Sequence, residues 1–509
     1  MHVGWYTPSV GFASSVTTPP PALASERLMK KWDATGSFWR PEMPEKVYWG
    51  RITFTPGEGT RIILEGNLFG EMVRGSSLHV TTVCGRLFNG VLCSTFLCWC
   101  NVETYIADRE HFRTNVSSHM SVLGGNWANT AACRLDSLQL RLSHFNEWFD
   151  VPYDIRHKRG DFQKSLLSFK ADDLTADFHF NGVNVELGTL CARSIPICAT
   201  PAGPAWSYNY YITLRPATGQ EIQWFLDLAS SLRELFVFLI GSGVFTLDMV
   251  GRPEGIDADD PSRVYVDLPV AIPSVVRLES RYFSTLHTKY RDSVPSVVRT
   301  WFERRQDLRV ATNAYTELLC FDGASPETIL LRTVQTLEHL HGLLWENDSN
   351  YVAKPTFNRF VQWIWSNFPT ALENISPDEM RRLASNKELL INRVRGLNNL
   401  SFRSRLEKIF KEIPGTQLMP ILGNPQDIDV FLKSFLVQVE ASRNFLTHFD
   451  EKQRERAFHD KELENAALIC WAALTFWIGK VLGFSESQAG NLALSAKEAL
   501  FLVHPRSAL

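Results

Sequence analysis

Three residues near the C-terminus, Arg443, Asn444 and His448, have the types and spacing needed to cleave a phosphodiester bond. An imidazole can move a proton near neutral pH. A guanidinium can hold a phosphate through two hydrogen bonds and offset the charge that builds up in the transition state. If the ribose 2′-OH is the nucleophile, no metal is needed, so these residues predict metal-independent RNA cleavage with no cofactor.

The segment that carries these residues is predicted to be a helix, Asp427–Phe449. One apolar face is formed by residues at helical spacing: Val430, Phe431, Phe435 and Val439. Asn444 and His448 are four positions apart and project from the same side. Arg443 lies about 140° around the helix from His448 and reaches the same place by its length. The alternative is an ordinary helix C-terminus, where Arg and His offset the helix dipole.

Arginine, a polar residue, three further residues and histidine, in that order, resemble the signature of HEPN-domain ribonucleases. The surrounding chain resembles their ApeA-like branch, a group of anti-phage defence proteins. The N-terminal half contributes to the resemblance, because the stretches at 36–41, 50–52 and 63–66 are similar to the domain that accompanies ApeA-like HEPN domains. The resemblance implies an α+β multidomain protein, with a β-rich N-terminal domain followed by an all-α HEPN helical bundle.

The same resemblance implies a function in abortive infection, with RNA as the substrate and tRNA as one candidate. His448 would be the acid and base, Arg443 would stabilise the pentacoordinate phosphate, and Asn444 would hydrogen-bond His448 or the phosphate. The partners implied are RNA, a second copy of the chain in a homodimer or higher homo-oligomer, and a phage-derived trigger bound by the N-terminal domain. The rival interpretation is a HEPN-fold module that binds RNA or another partner without catalysis.

Glu338 is a further candidate, because an acidic residue on an early HEPN helix can face the Arg–His pair and orient it. The alternative is a glutamate at the rim of the buried stripe formed by Leu330, Val334, Leu337 and Leu344. His339 and His341 lie on different helix faces and cannot share a metal ion, so they are interpreted as surface and boundary histidines. His459 is interpreted as a solvated residue of a connector.

The densest run of basic residues in the helical half lies between 393 and 411. Its candidates for RNA contact are Arg393, Arg395, Arg403, Arg405 and Lys408. Lysine and arginine neutralise phosphates, which favours backbone binding over base recognition. The alternative is a solvated helix face with ion pairs four residues apart, such as Glu407 with Lys411.

Composition limits the other possibilities. The chain has 509 residues, nine Cys and a formal net charge of −3, so any RNA site must be a local patch. The cysteines form no Cys-x-x-Cys pair, and the cluster Cys84, Cys93, Cys98 and Cys100 is interpreted as buried thiols rather than a metal site. No secretory signal and no membrane span is predicted, which indicates a cytoplasmic protein.

Three segments are predicted in chain order: a leader (1–30), a β-rich sensor or regulatory domain (31–300) and the helical nuclease domain (301–509). Asp177–Leu187 is predicted to be a single strand, and Glu221–Ile240 a helix late in the β-rich domain. The long loops expected to offer a binding surface are Arg109–Asn129 and Arg156–Asp173.

Overall fold

The chain folds into two compact units in the computed structural model. The N-terminal unit comprises Met1–Phe236, Val244–Arg277 and Leu286–Phe302, and the helical unit comprises Val237–Gly243, Leu278–Thr285 and Glu303–Leu509. The structure describes residues 27–69, 77–104, 112–149, 174–194, 207–257, 260, 262–269, 287–320, 324–346, 350–369, 372 and 375–503. Two predicted segments lie outside the described residues: the loop Arg156–Asp173 and residues 1–26 of the leader.

The N-terminal unit is built on one antiparallel sheet of 14 strands. Its strands are β1 (Trp32–Arg40), β2 (Met43–Thr55), β3 (Gly59–Glu65), β4 (Ser77–Leu87), β5 (Leu92–Thr104), β6 (Phe112–Ser118), β7 (Met120–Leu123), β8 (Arg134–Leu142), β9 (Ala176–Phe180), β10 (Val183–Ser194), β11 (Ser207–Pro216), β12 (Gln220–Glu221), β13 (Thr246–Pro253) and β14 (Val264–Asp267). Strands β4, β1, β2, β3, β6 and β5 close on themselves, because β4 pairs with both β1 and β5. The order continues β7-β14-β13-β8-β11-β10-β9, with β12 on β8. This confirms the predicted β-rich N-terminal half.

Among the described residues of this half, three α-helices precede α4 (Val294–Cys320): α1 (Phe145–Trp148), α2 (Ile222–Ile240), whose residues from Val237 onward belong to the helical unit, and α3 (His287–Tyr290). The predicted helix late in the β-rich half is therefore present. Its residues Phe225, Leu228 and Leu232 are fully buried, as expected for a helix with one apolar face.

Two glycines allow the first strands to approach closely. Gly36 on β1 lies opposite Gly50 on β2 and opposite Leu87 on β4. A Cβ atom on Gly36 would lie 2.5 Å from the carbonyl oxygen of Arg86, and one on Gly50 would collide with the backbone of Ile63. Any larger residue would push the strands apart, so both positions need glycine.

Two predictions in this half were wrong. Asp177–Leu187 is not one strand but the hairpin of β9 and β10, because Asn181 and Gly182 both adopt positive φ (48° and 79°), as a tight two-residue turn requires. The expected loop Arg109–Asn129 contains β6 and β7. Small hydroxyl residues at core-facing positions, among them Thr114 and Ser118, hide this strand pattern from a search for apolar alternation.

The four clustered thiols are buried, as interpreted from the sequence. Cys98 and Cys100 are buried on β5, whereas Trp99 between them is 53% exposed. Burial raises the pKa of Cys84 to about 11 and that of Cys93 to about 12, so both stay protonated and are poor metal ligands. Within the described part of the chain, no three His, Cys, Asp or Glu side chains come together as a group that could hold a metal ion.

The start of the described chain is fastened to the sheet by a buried ion pair. Arg27 Nε and Nη2 donate to the two carboxylate oxygens of Asp267 at 2.7 and 3.0 Å, and both side chains are almost fully buried. The backbone N–H of Arg27 also donates to Asp248 Oδ1 at 2.6 Å. Residues 27–30 are therefore fixed against β13 and β14 by charge as well as by packing.

The helical unit is formed by the later helices, which confirms the predicted all-α C-terminal half. They are α4 (Val294–Cys320), α5 (Pro326–Leu344), α6 (Lys354–Ser366), α7 (Pro377–Ser385), α8 (Lys387–Gly396), α9 (Phe402–Lys411), α10 (Gly415–Leu422), α11 (Ile428–His448), α12 (Glu451–Arg454), α13 (Asp460–Val481) and α14 (Glu486–Val503). Helix α4 begins in the N-terminal unit, and its residues from Glu303 onward belong to the helical unit.

Helix α13 is the centre of the helical unit. It is buried on almost every side from Ala466 to Ile478 and packs against α5, α10 and α14. Its Trp471 ring stacks on Tyr315 of α4 with centroids 4.1 Å apart. Among the helices that the structure describes, none is long and apolar enough to span a bilayer.

We expect Arg27→Ala to lower the free energy of unfolding of the N-terminal unit by about 3–5 kcal/mol, because the Asp267 carboxylate would stay buried without its partner. The control is Arg51→Ala, which breaks the exposed pair with Asp33 at the same 2.7 Å. That change should cost less than about 1 kcal/mol. Urea denaturation, with hydrogen exchange to follow β13 and β14, measures both. Equal effects of the two substitutions would contradict a stabilising role for the buried pair.

Candidate functional site

The motif lies at the C-terminal end of α11. The helix begins at Ile428, after an N-cap in which the Asp427 carboxylate accepts a hydrogen bond from the Val430 N–H at 3.0 Å. It ends at His448, because the next residue, Phe449, adopts a left-handed conformation with φ 51°. His448 is therefore the last helical residue, and its side chain is exposed.

The buried face of α11 differs from the prediction at its first two positions, since Phe431 is only half-buried and Val430 is exposed. Phe435 and Val439 are buried as expected, but Val430 is 67% exposed. Val430 and His448 are 18 positions apart, about five helical turns, so they share the side that faces away from the core. Val430 and Val437 line an open groove on this side, together with Lys433, Ser434, Gln438 and Arg456.

Arg443 is held in place by a ring and an amide. Its guanidinium carbon lies 5.1 Å from the centroid of the Phe402 ring, and its Nη1 donates to Asn444 Oδ1 at 3.2 Å. The side chain is half-buried, and its Nε–H has no hydrogen-bond partner among the described residues. No carboxylate of the described chain lies within ion-pair distance of it. A half-buried cation in this state can accept an anion such as a phosphate.

Helix α9 supplies Phe402 and packs between α5 and α11. Its N-cap is Ser401, whose hydroxyl accepts a hydrogen bond from the Ser404 N–H at 3.1 Å. Its C-terminal half is fixed to α13 by a hydrogen bond from the indole N–H of Trp477 to the Ile409 carbonyl at 3.1 Å. Sequence reasoning missed Phe402; an aromatic residue directly after an N-cap serine in the basic run was the available signal.

Glu338 contacts the basic run rather than the motif. Its carboxylate accepts a hydrogen bond from Arg405 Nη1 at 3.0 Å, and both side chains are about one-quarter exposed. Within the part of the chain that the structure describes, no hydrogen bond or ion pair joins Glu338 to Arg443 or His448. The pair links α5 to α9, the helix that carries Phe402.

The predicted RNA-contacting residues fall into two groups. Arg393 on α8 is exposed, and the side chain of Arg395 lies outside the described residues. Arg405 pairs with Glu338, Arg403 lies 3.9 Å from Glu440 of α11, and the Lys408 ammonium lies over the Trp345 ring at 5.3 Å. Arg403, Arg405 and Lys408 thus form the second group, whose side chains make contacts within the protein and are also partly exposed to solvent.

The ordinary interpretation of the basic run holds for Lys411. Its ammonium pairs with Glu407, four residues earlier, at 2.7 Å. The hydrogen bond to that carboxylate raises the pKa of Lys411. This pair is the solvated helix-face arrangement considered from the sequence, and it leaves Lys411 with a partner inside its own helix.

The histidines other than His448 lie elsewhere. His341 was predicted to lie at the surface or boundary, which is wrong: it is 1% exposed, and its ring lies 5.3 Å from that of Trp345. The apolar stripe of α5 is wider than its leucines and valine indicate, because Thr333, Thr336 and His341 are buried with them. His339 is exposed, and so is His459 at the start of α13.

Comparison with protein families identifies both halves of the chain. Residues 33–294, just over half of the chain, match the ApeA N-terminal domain 1, and residues 331–488 match the Apea-like HEPN domain. Comparisons with curated proteins and with solved structures found no match to the chain. HEPN domains are commonly ribonucleases, so the class of function indicated is a ribonuclease of the defence type. The chain belongs to the ApeA family, with an ApeA N-terminal domain 1 followed by an Apea-like HEPN domain.

Proposed function

We propose that this protein is a metal-independent endoribonuclease that cleaves RNA in defence against phage, by abortive infection. The observation that carries the proposal is the state of Arg443: half-buried, held by Phe402 and Asn444, without a carboxylate partner among the described residues, and close in sequence to the exposed His448. A cation that needs an anion beside an imidazole that can move a proton suits phosphodiester chemistry. tRNA is one candidate substrate.

The proposed reaction is transesterification. His448 accepts the proton of a ribose 2′-OH, the 2′ oxygen attacks the adjacent phosphorus, and the bond from phosphorus to the 5′ oxygen breaks. A second imidazole donates a proton to the leaving 5′ oxygen. The products are a 2′,3′-cyclic phosphate and a 5′-OH. Arg443 offsets the charge on the pentacoordinate phosphate, and Asn444 keeps the guanidinium in position through the hydrogen bond from Nη1.

RNA backbone contacts are assigned to the basic residues of α8 and α9. Arg393 and Arg403 are exposed and can reach phosphates, and Arg395 and Lys408 belong to the same basic run. Arg405 is better suited to holding α9 against α5, since its guanidinium already pairs with Glu338. Loss of a phosphate contact should weaken binding equally for all RNA sequences and reduce its dependence on salt.

His448→Ala should abolish RNA cleavage and leave thermal stability unchanged, because the side chain is exposed at the end of a helix. The matched control is His339→Ala, another exposed histidine of the helical unit, which should cleave like the wild type. Both are measured with labelled RNA in excess chelator, where wild-type cleavage should persist. Full cleavage by a folded His448→Ala protein would refute the assignment and favour a HEPN module that binds without catalysis.

A homodimer is part of the proposal, because the reaction needs a base and an acid and each chain offers one motif. An isologous pair would bring two copies of His448 together. The groove face of α11, with exposed Val430, lies on the same side of the helix as His448 and is the face that we assign to the partner copy.

Val430→Asp should therefore produce monomers and lose most of the cleavage, because the charge would be buried against a second copy. The control is Val310→Asp, which changes another exposed valine, on α4. It should affect neither the oligomeric state nor RNA cleavage. Sedimentation at several concentrations, with cleavage assays on the same samples, gives both results. A wild-type protein that is monomeric at every concentration and fully active would exclude the two-imidazole mechanism.

The N-terminal unit is proposed to sense a phage-derived trigger and restrain the nuclease. It contains a large β-sheet and, among its described residues, no group that could hold a metal ion. Cleavage at all times would harm the host, so the activity needs control.

Expression of residues 294–509, from the first residue of α4 onward, tests this proposal. Restraint predicts uncued RNA cleavage and toxicity, both abolished by His448→Ala in the same fragment. Sensing without restraint predicts a folded fragment that stays inactive during infection. A fragment that responds to phage like the full chain would rule out both roles.

A further inference from the structure

Helix α6 presents aromatic side chains to solvent, which soluble proteins normally bury. Phe360 is 49% exposed and Trp363 is 61% exposed, whereas Val361 is the one residue of α6 that is buried. Phe357, Phe360 and Trp363 recur at every third position of α6 and form a row that we call the aromatic strip. Ring centroids are 5.8 Å apart between Phe357 and Phe360, and 6.4 Å apart between Phe360 and Trp363.

Two rings of the strip lie nearly parallel. The Phe360 and Trp363 rings are inclined by only 12° to one another, whereas the Phe357 ring is inclined by 51° to that of Phe360. Exposed flat side chains provide a stacking surface for other flat groups, and nucleic-acid bases stack on exposed aromatic rings whatever their sequence.

The charge around the strip is positive. Residues 350–369 include Lys354 and Arg359, both exposed, and contain no Asp or Glu, although the whole chain has a net charge of −3. The Lys387 ammonium of the neighbouring α8 lies 4.4 Å from the ring of Trp365, an exposed residue of α6 outside the strip. Aromatic rings interleaved with cations are the arrangement that binds single-stranded nucleic acid, since the cations meet phosphates while the rings meet bases.

The strip is connected to the motif through α9. The Tyr351 hydroxyl, just before α6, accepts a hydrogen bond from the Ser401 N–H at 3.2 Å and lies 3.1 Å from the Ser404 hydroxyl. Ser401 is the N-cap residue before Phe402, whose ring supports Arg443. Asn398 also bonds the backbone of Val352 in both directions, at 2.8 and 2.9 Å. The entry to α6 is thus fixed to the helix that positions Arg443.

We propose that the aromatic strip of α6 binds unpaired bases of single-stranded RNA by stacking. From Phe357 to Trp363 the strip rises about 9 Å along the helix at 1.5 Å per residue, and its three rings offer stacking positions for two or three bases. The substrate class follows: a loop or an unpaired end, because bases inside a duplex are already stacked on their neighbours. This inference rests on the proposed function for its RNA substrate, and it adds the form of RNA that the enzyme selects.

Binding is measured with full-length protein carrying His448→Ala, so that RNA is not cut, and a fluorescent single-stranded 12-nucleotide oligouridine. Adding Phe360→Leu and Trp363→Leu keeps the strip apolar but removes its rings. We expect the affinity to fall about tenfold or more, while Trp363→Tyr should retain most of it. Circular dichroism checks folding, which exposed positions should not disturb.

The matched control is Trp49→Leu with Phe88→Leu. These changes remove an exposed aromatic pair of the N-terminal unit whose ring centroids are 5.5 Å apart. These changes should leave oligouridine affinity unchanged. A duplex of equal length should bind the unaltered strip and the Leu variant alike. Unchanged oligouridine affinity in the α6 variant would overturn the proposal. If its affinity is unchanged but its sedimentation shows a smaller oligomer than the parent protein, the strip serves self-association instead.

The test separates this inference from the proposed function. If the strip variant loses oligouridine affinity but the wild type never cleaves RNA, the strip binds RNA and the nuclease assignment fails. If the wild type cleaves RNA but the strip substitutions leave oligouridine affinity unchanged in the His448→Ala protein, the nuclease assignment stands and the strip inference fails.

Discussion

A helix that is apolar on nearly every side must be enclosed, and this constraint organises the helical unit. Helix α13 is buried from Ala466 to Ile478, so α5, α10 and α14 pack around it. Once α5 is placed, the Glu338–Arg405 pair and the packing of α9 follow, and the Trp477 hydrogen bond fixes α9 from its other end. The position of Phe402, and so of the Arg443 guanidinium, therefore depends on a core that contains no reacting group.

Helix α11 uses its two sides differently. Phe435 and Val439 bury one side in the core, while Val430, Val437 and His448 occupy the side that faces outward. Arg443 lies at the border between the two sides. Its side chain is half-buried, so it is partly shielded from water but still accessible to an anion. Burial of a charge is costly without a counter-ion, and this cost is the physical reason for proposing that Arg443 holds a phosphate.

The prediction from sequence was most accurate where a pattern repeats over several turns or depends on a short motif. The two-part architecture could be predicted, and so could Leu330, Val334 and Leu337 of the apolar stripe of α5, because this pattern depends on local spacing. The position of Val430 could not, since an apolar residue on a helix does not reveal which side the core occupies. Glu338 poses a similar problem: its spacing shows that it lies at a rim, but only the fold shows that Arg405 is there to meet it.

Strands with polar or small core-facing residues were the other difficulty. β6 places Thr114 and Ser118 toward the core, and their hydroxyls are satisfied by the Gly66 carbonyl and by the carbonyl of Met120, respectively. Such strands look like loops until their neighbours are known. The exposure of the aromatic strip of α6 could not be predicted for the opposite reason, because rows of Phe and Trp usually indicate a core.

His448 is proposed to move a proton during 2′-OH transesterification. The most direct measurement is the chemical identity of new RNA ends in cells that express the wild type or His448→Ala. We expect 2′,3′-cyclic phosphates and 5′-hydroxyls at discrete sites with the wild type and none of these ends with the variant. New ends that carry 3′-hydroxyls and 5′-phosphates, or identical ends from both proteins, would contradict it.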